Sequence, residues 1–102
     1  MKAAVLLASL ASIAPLASAW QLELFTTDNR HATMHGTGDS GCINLSFSPA
    51  LNVNRARFEG TALGIDDTFE LYTNRGCSGL SYRNGEGNHQ MTPRTIRSYK
   101  VY

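Results

Sequence analysis

The chain has 102 residues with a formal net charge of +1, is 42% hydrophobic and carries 17% charged residues. So small and nearly neutral a chain lacks the Lys and Arg excess that nucleic acid or an anionic membrane demands, and its length allows one small domain. Without its N-terminal leader the chain has eight Lys and Arg facing eight Asp and Glu, a formal balance of zero.

Residues 1–19 read as a signal peptide. Lys2 supplies the basic start, Ala3–Leu16 the apolar run, and Ala17-Ser18-Ala19 the small-residue cleavage site. The run is too short for a membrane span. The expected product is a secreted, extracellular chain that begins at Trp20 and folds as a single β-sandwich domain over residues 20–102.

Trp20–Thr26 alternates, with Leu22, Leu24 and Thr26 against Gln21, Glu23 and Phe25, which predicts a strand. Thr27–Arg30 predicts a turn, Ala32–His35 a short second strand, and Gly36–Gly41 a glycine-rich loop. Cys42–Phe47 predicts a third strand with Ile43, Leu45 and Phe47 on one face. Ser48-Pro49 ends it. Val53–Glu59 predicts a fourth, with Val53, Arg55 and Arg57 on one side and Ala56 and Phe58 on the other. Gly60–Asp67 links to a second half, and Ala62–Asp67 has room for one helical turn. There Phe69, Leu71, Leu80 and Tyr82 alternate with polar residues, and Asn84-Gly85 is a strong hairpin signal. Thr95–Tyr102 predicts the last strand, with Pro93 before it. Short strands at this spacing predict an all-β sandwich.

The two halves repeat weakly. Leu22-Glu23-Leu24-Phe25-Thr26 matches Phe69-Glu70-Leu71-Tyr72-Thr73, and Arg55-Ala56-Arg57 matches Thr95-Ile96-Arg97. Motif one therefore covers about residues 20–60 and motif two about 67–102. Charge divides between them. Seven acids face three bases from Gln21 to Glu70, whereas Arg75, Arg83, Arg94, Arg97 and Lys100 face only Glu86 from Leu71 onward.

Tyr72, four residues, Cys77, one residue, Gly79 and then Tyr82 resemble the folded hairpin of a βγ-crystallin Greek-key motif. Cys77 stands where that pattern has its second aromatic, and Ala32 stands where the first half would need glycine. Thr95-Ile96-Arg97-Ser98 resembles the short Ser-Ile-Arg strand that closes such motifs. The resemblance implies a two-Greek-key sandwich of the βγ-crystallin type. Many such domains bind Ca²⁺ through loops similar to Asn88-His89-Gln90-Met91-Thr92-Pro93, so Asn88 and Thr92 are the Ca²⁺ candidates. His89 and Pro93 depart from that pattern, and no other cofactor or metal is expected.

Cys42 and Cys77 are the two cysteines, and an even count in a secreted small chain implies a disulfide. An intramolecular bridge would join the two halves; an intermolecular bridge and free thiols are the alternatives. Asn44-Leu45-Ser46 is a glycosylation sequon that requires Asn44 to face solvent.

Gly38-Asp39-Ser40-Gly41 resembles the nucleophile loop of chymotrypsin-like proteases, but the chain is far too short for that double barrel. His31 and His35 lack a third ligand at a suitable spacing for zinc. No nucleophile–base pair or carboxylate pair placed for glycoside cleavage is apparent, so no enzyme is expected. Arg83, Arg94, Arg97, Tyr99, Lys100 and Tyr102 are the candidate binding face, an aromatic and cationic surface suited to an extracellular or host protein or a glycan. The domain is expected to act as a monomer. Small secreted proteins with this leader and crystallin-like halves resemble fungal effector-type and toxin-like proteins. That implies a non-enzymatic interaction role, with a Ca²⁺-stabilised structural protein or an antimicrobial killer toxin as the alternatives.

Overall fold

The computed structural model describes residues 19–61 and 66–102. The leader up to Ser18 and most of the helical turn expected at Ala62–Asp67 lie outside them. Eight strands follow in chain order: β1 (Trp20–Thr26), β2 (His31–Gly36), β3 (Ile43–Asn44), β4 (Leu51–Glu59), β5 (Phe69–Asn74), β6 (Ser78–Asn84), β7 (Gly87–Ile96) and β8 (Ser98–Val101). They form two antiparallel four-stranded sheets, ordered β2-β1-β4-β7 (sheet A) and β3-β8-β5-β6 (sheet B). The protein is a small all-β sandwich.

Each sheet takes three strands from one half of the chain and its remaining edge strand from the other. In the first half β4 returns beside β1 while β3 crosses to sheet B; in the second, β8 returns beside β5 while β7 crosses to sheet A. Returning the fourth strand beside the first is the Greek-key connection. The exchange of third strands makes the two halves one core.

That core follows from alternation. β1 buries Trp20, Leu22, Leu24 and Thr26 and turns Gln21, Glu23 and Phe25 outward. Phe58 of sheet A meets Phe69 of sheet B with ring centroids 5.3 Å apart, and Trp20 meets Tyr99 edge-on at 6.4 Å.

Strict alternation fails at two bulges, and both overturn an expected face. On β4, Val53 faces inward together with Ala56 and Phe58 rather than lying with Arg55 and Arg57. Asn54 is the extra residue: Phe25 pairs Arg55 and Thr26 pairs Val53, so the side chains switch faces across it. On β6, Ser81 is extra, because Leu71 pairs Tyr82 and Tyr72 pairs Leu80. Leu80 is therefore thrown to the outside and is 53% exposed, against the expectation that it shares a face with Tyr82.

Other expectations shift as well. The third strand is two residues long, not six, and Ile43 and Phe47 are exposed. It borders β8 only, as an edge strand lent by the other half. Asn84-Gly85 makes no hairpin: β6 lies in sheet B while β7 pairs β4 in sheet A, so this dipeptide sits in an arch between sheets. The His89 ring nitrogen lies 2.9 Å from the Gly85 carbonyl there. The stretch Thr95–Tyr102 is divided, with Thr95 and Ile96 ending β7 and β8 beginning at Ser98. Arg97 is the crossing point. Its N–H donates to the Tyr72 carbonyl and its own carbonyl accepts from Leu45, each at 2.9 Å. Pro93 falls inside β7, where an edge strand with an irregular register tolerates its missing donor.

The repeat also realigns. Glu23 pairs Arg57 as Glu70 pairs Lys100, and Leu24 pairs Ala56 as Leu71 pairs Tyr99. Arg55-Ala56-Arg57 thus corresponds to Ser98-Tyr99-Lys100, not to Thr95-Ile96-Arg97.

The Cys42–Cys77 bridge is intramolecular, with the Cα atoms 5.9 Å apart. It joins the two halves by fastening the segment entering β3 to the β5–β6 hairpin. That hairpin folds through positive φ at Gly76 (73°), Cys77 (55°) and Gly79 (75°). Gly36 is required for a different reason. A Cβ there would stand 2.6 Å from the Trp20 ring. Gly36→Ala must push that buried ring aside, and a loss of about 1–3 kcal/mol in urea unfolding is expected.

Candidate functional site

The outer face of sheet B is organised by Glu70. β5 points Phe69 and Leu71 into the core, so Glu70 and Tyr72 face outward, yet both are buried. Glu70 lies between Arg83 of β6 and Lys100 of β8 in register. Tyr72 Oη donates to its Oε1, Tyr102 Oη donates to Oε2 at 2.6 Å, and Arg83 Nη1 lies 3.5 Å from Oε2. Burial pushes the Glu70 carboxyl up, but the hydrogen bonds from Tyr102, Tyr72 and Arg83 outweigh it and hold it below its ordinary 4.5. Burial and the Glu70 carboxylate push the Tyr72 hydroxyl up to about 12. A carboxylate favoured when folded stabilises the domain above its unfolded pKa, and that stability is lost as pH falls through the lowered one. Thermal unfolding followed from about pH 7 to about pH 3 is therefore expected to lose stability below about pH 4.5. Glu70→Gln should flatten that limb.

The six residues of the expected binding face do not form one surface. Tyr99 is 5% exposed and belongs to the core, because it alternates with Ser98 and Lys100 on β8 and faces Trp20. Arg83 and Tyr102 are committed to Glu70, and Lys100 flanks them. Arg94 lies elsewhere, joining β7 to β6 across the side of the sandwich. Its Nη1 donates to the Ser81 carbonyl at 2.8 Å, and its guanidinium stands 5.5 Å from the Tyr82 ring centroid. Arg97 is at the end of the sandwich, where Nη1 donates to the Thr73 carbonyl at 3.0 Å.

That end carries a pocket of about 140 Å³ between Leu45, Phe47, Leu51 and Ile96, with Arg75 and Arg97 on its rim. A second recess of about 280 Å³ lies between Trp20, the loop after β2, and Tyr99. Ser40, the centre of the protease-like tetrapeptide, lies in that loop. Its hydroxyl donates to the Gly41 carbonyl at 2.6 Å and accepts the Val101 N–H at 2.8 Å. It docks the loop on β8. No protein-family model, curated protein or solved structure matches this chain.

The Ca²⁺ candidates are spoken for by cations. Asn88 Oδ1 accepts from Arg55 Nη1 at 3.0 Å, and Thr92 Oγ1 accepts from Arg94 Nη2 at 2.7 Å. An oxygen facing a guanidinium is a poor place for a second positive ion. Among the described residues no three His, Cys, Asp or Glu side chains are grouped to hold a metal. Asn44 is exposed, as its sequon requires, and its Oδ1 accepts the Gly76 N–H at 2.7 Å. No helix among the described residues is long and apolar enough to cross a membrane.

Sequence reasoning missed two groupings. On the outer face of sheet A, Arg55 sits 3.7 Å over the Phe25 ring, Phe25 stacks on His31 at 4.5 Å, and Glu23 takes both His31 and Arg57. His31, Phe25 and Arg55 belong to three strands, so only the registers unite them; the alternation of Phe25 with Leu24 was the one visible signal. In the loops, Asp39 hydrogen-bonds the carboxyl of Asp66. Burial, then this partner, push the Asp66 carboxyl up. Carboxyls in direct contact are closer than the 5 Å or more that glycoside cleavage uses.

Proposed function

We propose that this chain is a secreted, non-enzymatic interaction domain of βγ-crystallin type, effector-like or toxin-like. It engages an anionic surface on a host or competitor protein or glycan. The observation that carries the reading is the state of its cations. Arg30, Arg57 and Arg83 pair with carboxylates, whereas Arg75, Arg97 and Lys100 have no such ion pair among the described residues. Arg75 and Arg97 are exposed. Unpaired surface cations steer and select anionic partners without any catalytic group. The crystallin-type reading is supported by the strand order, in which each Greek key lends its third strand to the other sheet.

The test is affinity capture with the oxidised protein and its Arg97→Glu/Lys100→Glu variant. The wild type is expected to retain a partner that the variant loses; equal capture by both overturns the reading. Growth inhibition of competitor cells by the pure protein would assign the partner to a killer-toxin role. The structural alternative predicts a melting temperature raised several degrees by Ca²⁺. The arginine bonds to Asn88 and Thr92 favour no rise.

A further inference from the structure

We infer that the pocket at the end of the sandwich is a binding site for an aromatic carboxylate. Its floor is Leu51 and Ile96, both fully buried beneath it. Its wall is Leu45 and Phe47, and Phe47 leaves 41% of its surface in water. The space of about 140 Å³, open to solvent and lined by both apolar and polar atoms, has room for one ring, since benzene fits a closed cavity of about 150 Å³. A ring seated here covers the exposed face of Phe47 and removes apolar surface from water on both partners.

The rim selects the charge. Arg75 Nη1 donates to the Leu45 carbonyl at 3.3 Å and Arg97 Nη1 to the Thr73 carbonyl at 3.0 Å. These anchors hold the two guanidiniums beside the apolar space and leave further N–H donors on each. Neither has an ion pair with a carboxylate among the described residues. The wall is tied to the rim, because Leu45 N–H donates to the Arg97 carbonyl at 2.9 Å. Two guanidiniums beside a ring-sized pocket with an apolar floor and wall match a ring bearing a carboxylate one or two bonds away. The carboxylate comes from a free aromatic acid or from the terminus of a chain ending in Phe. The site stands whether or not the chain has the macromolecular partner proposed above.

The test is an amide chemical-shift titration of the oxidised protein with phenylacetate, phenylacetamide and acetate. Phenylacetate is expected to bind with a dissociation constant of about 1 mM, shifting the amides of Leu45, Leu51 and Ile96. Phenylacetamide lacks the charge and acetate lacks the ring, and each should bind at least about tenfold more weakly. The exposed pair Arg75→Gln/Arg97→Gln gives up two bonds to backbone carbonyls, so it should stay folded with a small drop in melting temperature and also lose about tenfold in binding. Equal binding of acid and amide, equal binding by the double variant, or shifts confined to other residues overturns the assignment. A peptide ending in Phe with a free carboxylate separates the two sources: tighter binding than phenylacetate marks a chain terminus, weaker binding a free acid.

Discussion

Replacing Cys42 and Cys77 together by alanine is expected to cost about 4 kcal/mol, from the chain entropy released when a loop spanning 35 positions is no longer closed. For a domain of this size that is about 15–30 °C in melting temperature, a large share of the stability available to so small a core. The structure adds a reason for the loss to begin locally. β3 holds sheet B through only two paired positions, Ile43 with Tyr99 and Asn44 with Ser98. Beyond these it is tied by the Leu45–Arg97 backbone bond, the Arg75 bond to the Leu45 carbonyl, the Asn44–Gly76 bond and the disulfide. Once reduced, the segment from the loop after β2 to β3 should gain hydrogen exchange before β1, β4 or β5 do. Urea unfolding with and without reductant measures the global effect. Coincident transitions would show that the bridge contributes nothing.

Phe69→Ala is expected to cost about 3–5 kcal/mol, enough to leave a substantial unfolded fraction. Phe69 is fully buried at the start of β5, beside the arch that leads from β6 to β7. Its ring lies 5.3 Å from Phe58 across the sheets, 6.0 Å from Tyr82 on its own sheet and 5.8 Å from His89 beyond the arch. Truncation therefore opens a cavity bordered by both sheets and by the connection between them, and no single neighbour can fill it. Phe69→Leu, which keeps most of the volume, should cost under about 1.5 kcal/mol. Calorimetric melting of the two variants checks both values. A loss under about 1 kcal/mol for alanine would mean that the sheets close over the gap.

Much of the sandwich was legible because β1 and β5 alternate cleanly. The periods of Leu22-Leu24 and Phe69-Leu71 need only a water side and an oil side. The disulfide was legible as a cysteine count, with one end at the third strand and the other in the folded hairpin; that β3 would join the sheet of the other half was not. Faces were misread at Val53 and Leu80 because a single extra residue inverts every side chain beyond it, and nothing in the residues Asn54 or Ser81 announces a bulge. Asn84-Gly85 misled for a related reason. The dipeptide describes how a chain bends, and β7 found its partner in β4 of the other half.

The binding surface was less legible than the fold. Arg83, Arg94, Arg97, Tyr99, Lys100 and Tyr102 are near in sequence, and that nearness alone suggests one face. Register separates them into a core residue, a buried carboxylate's partners, an inter-sheet staple and the rim of a pocket. Arg75, which shares that rim with Arg97, gave no sign of it.

The residues by themselves determined that this chain is all-β, that two halves repeat and that two cysteines are available to join them. These are properties of neighbours along the chain: hydrophobic period, turn chemistry and composition. Only the tertiary structure decided which strand crosses to which sheet, which cations meet a carboxylate and which line a pocket without one. Those outcomes depend on pairing between residues tens of positions apart, set when burying both apolar faces at once selects one register.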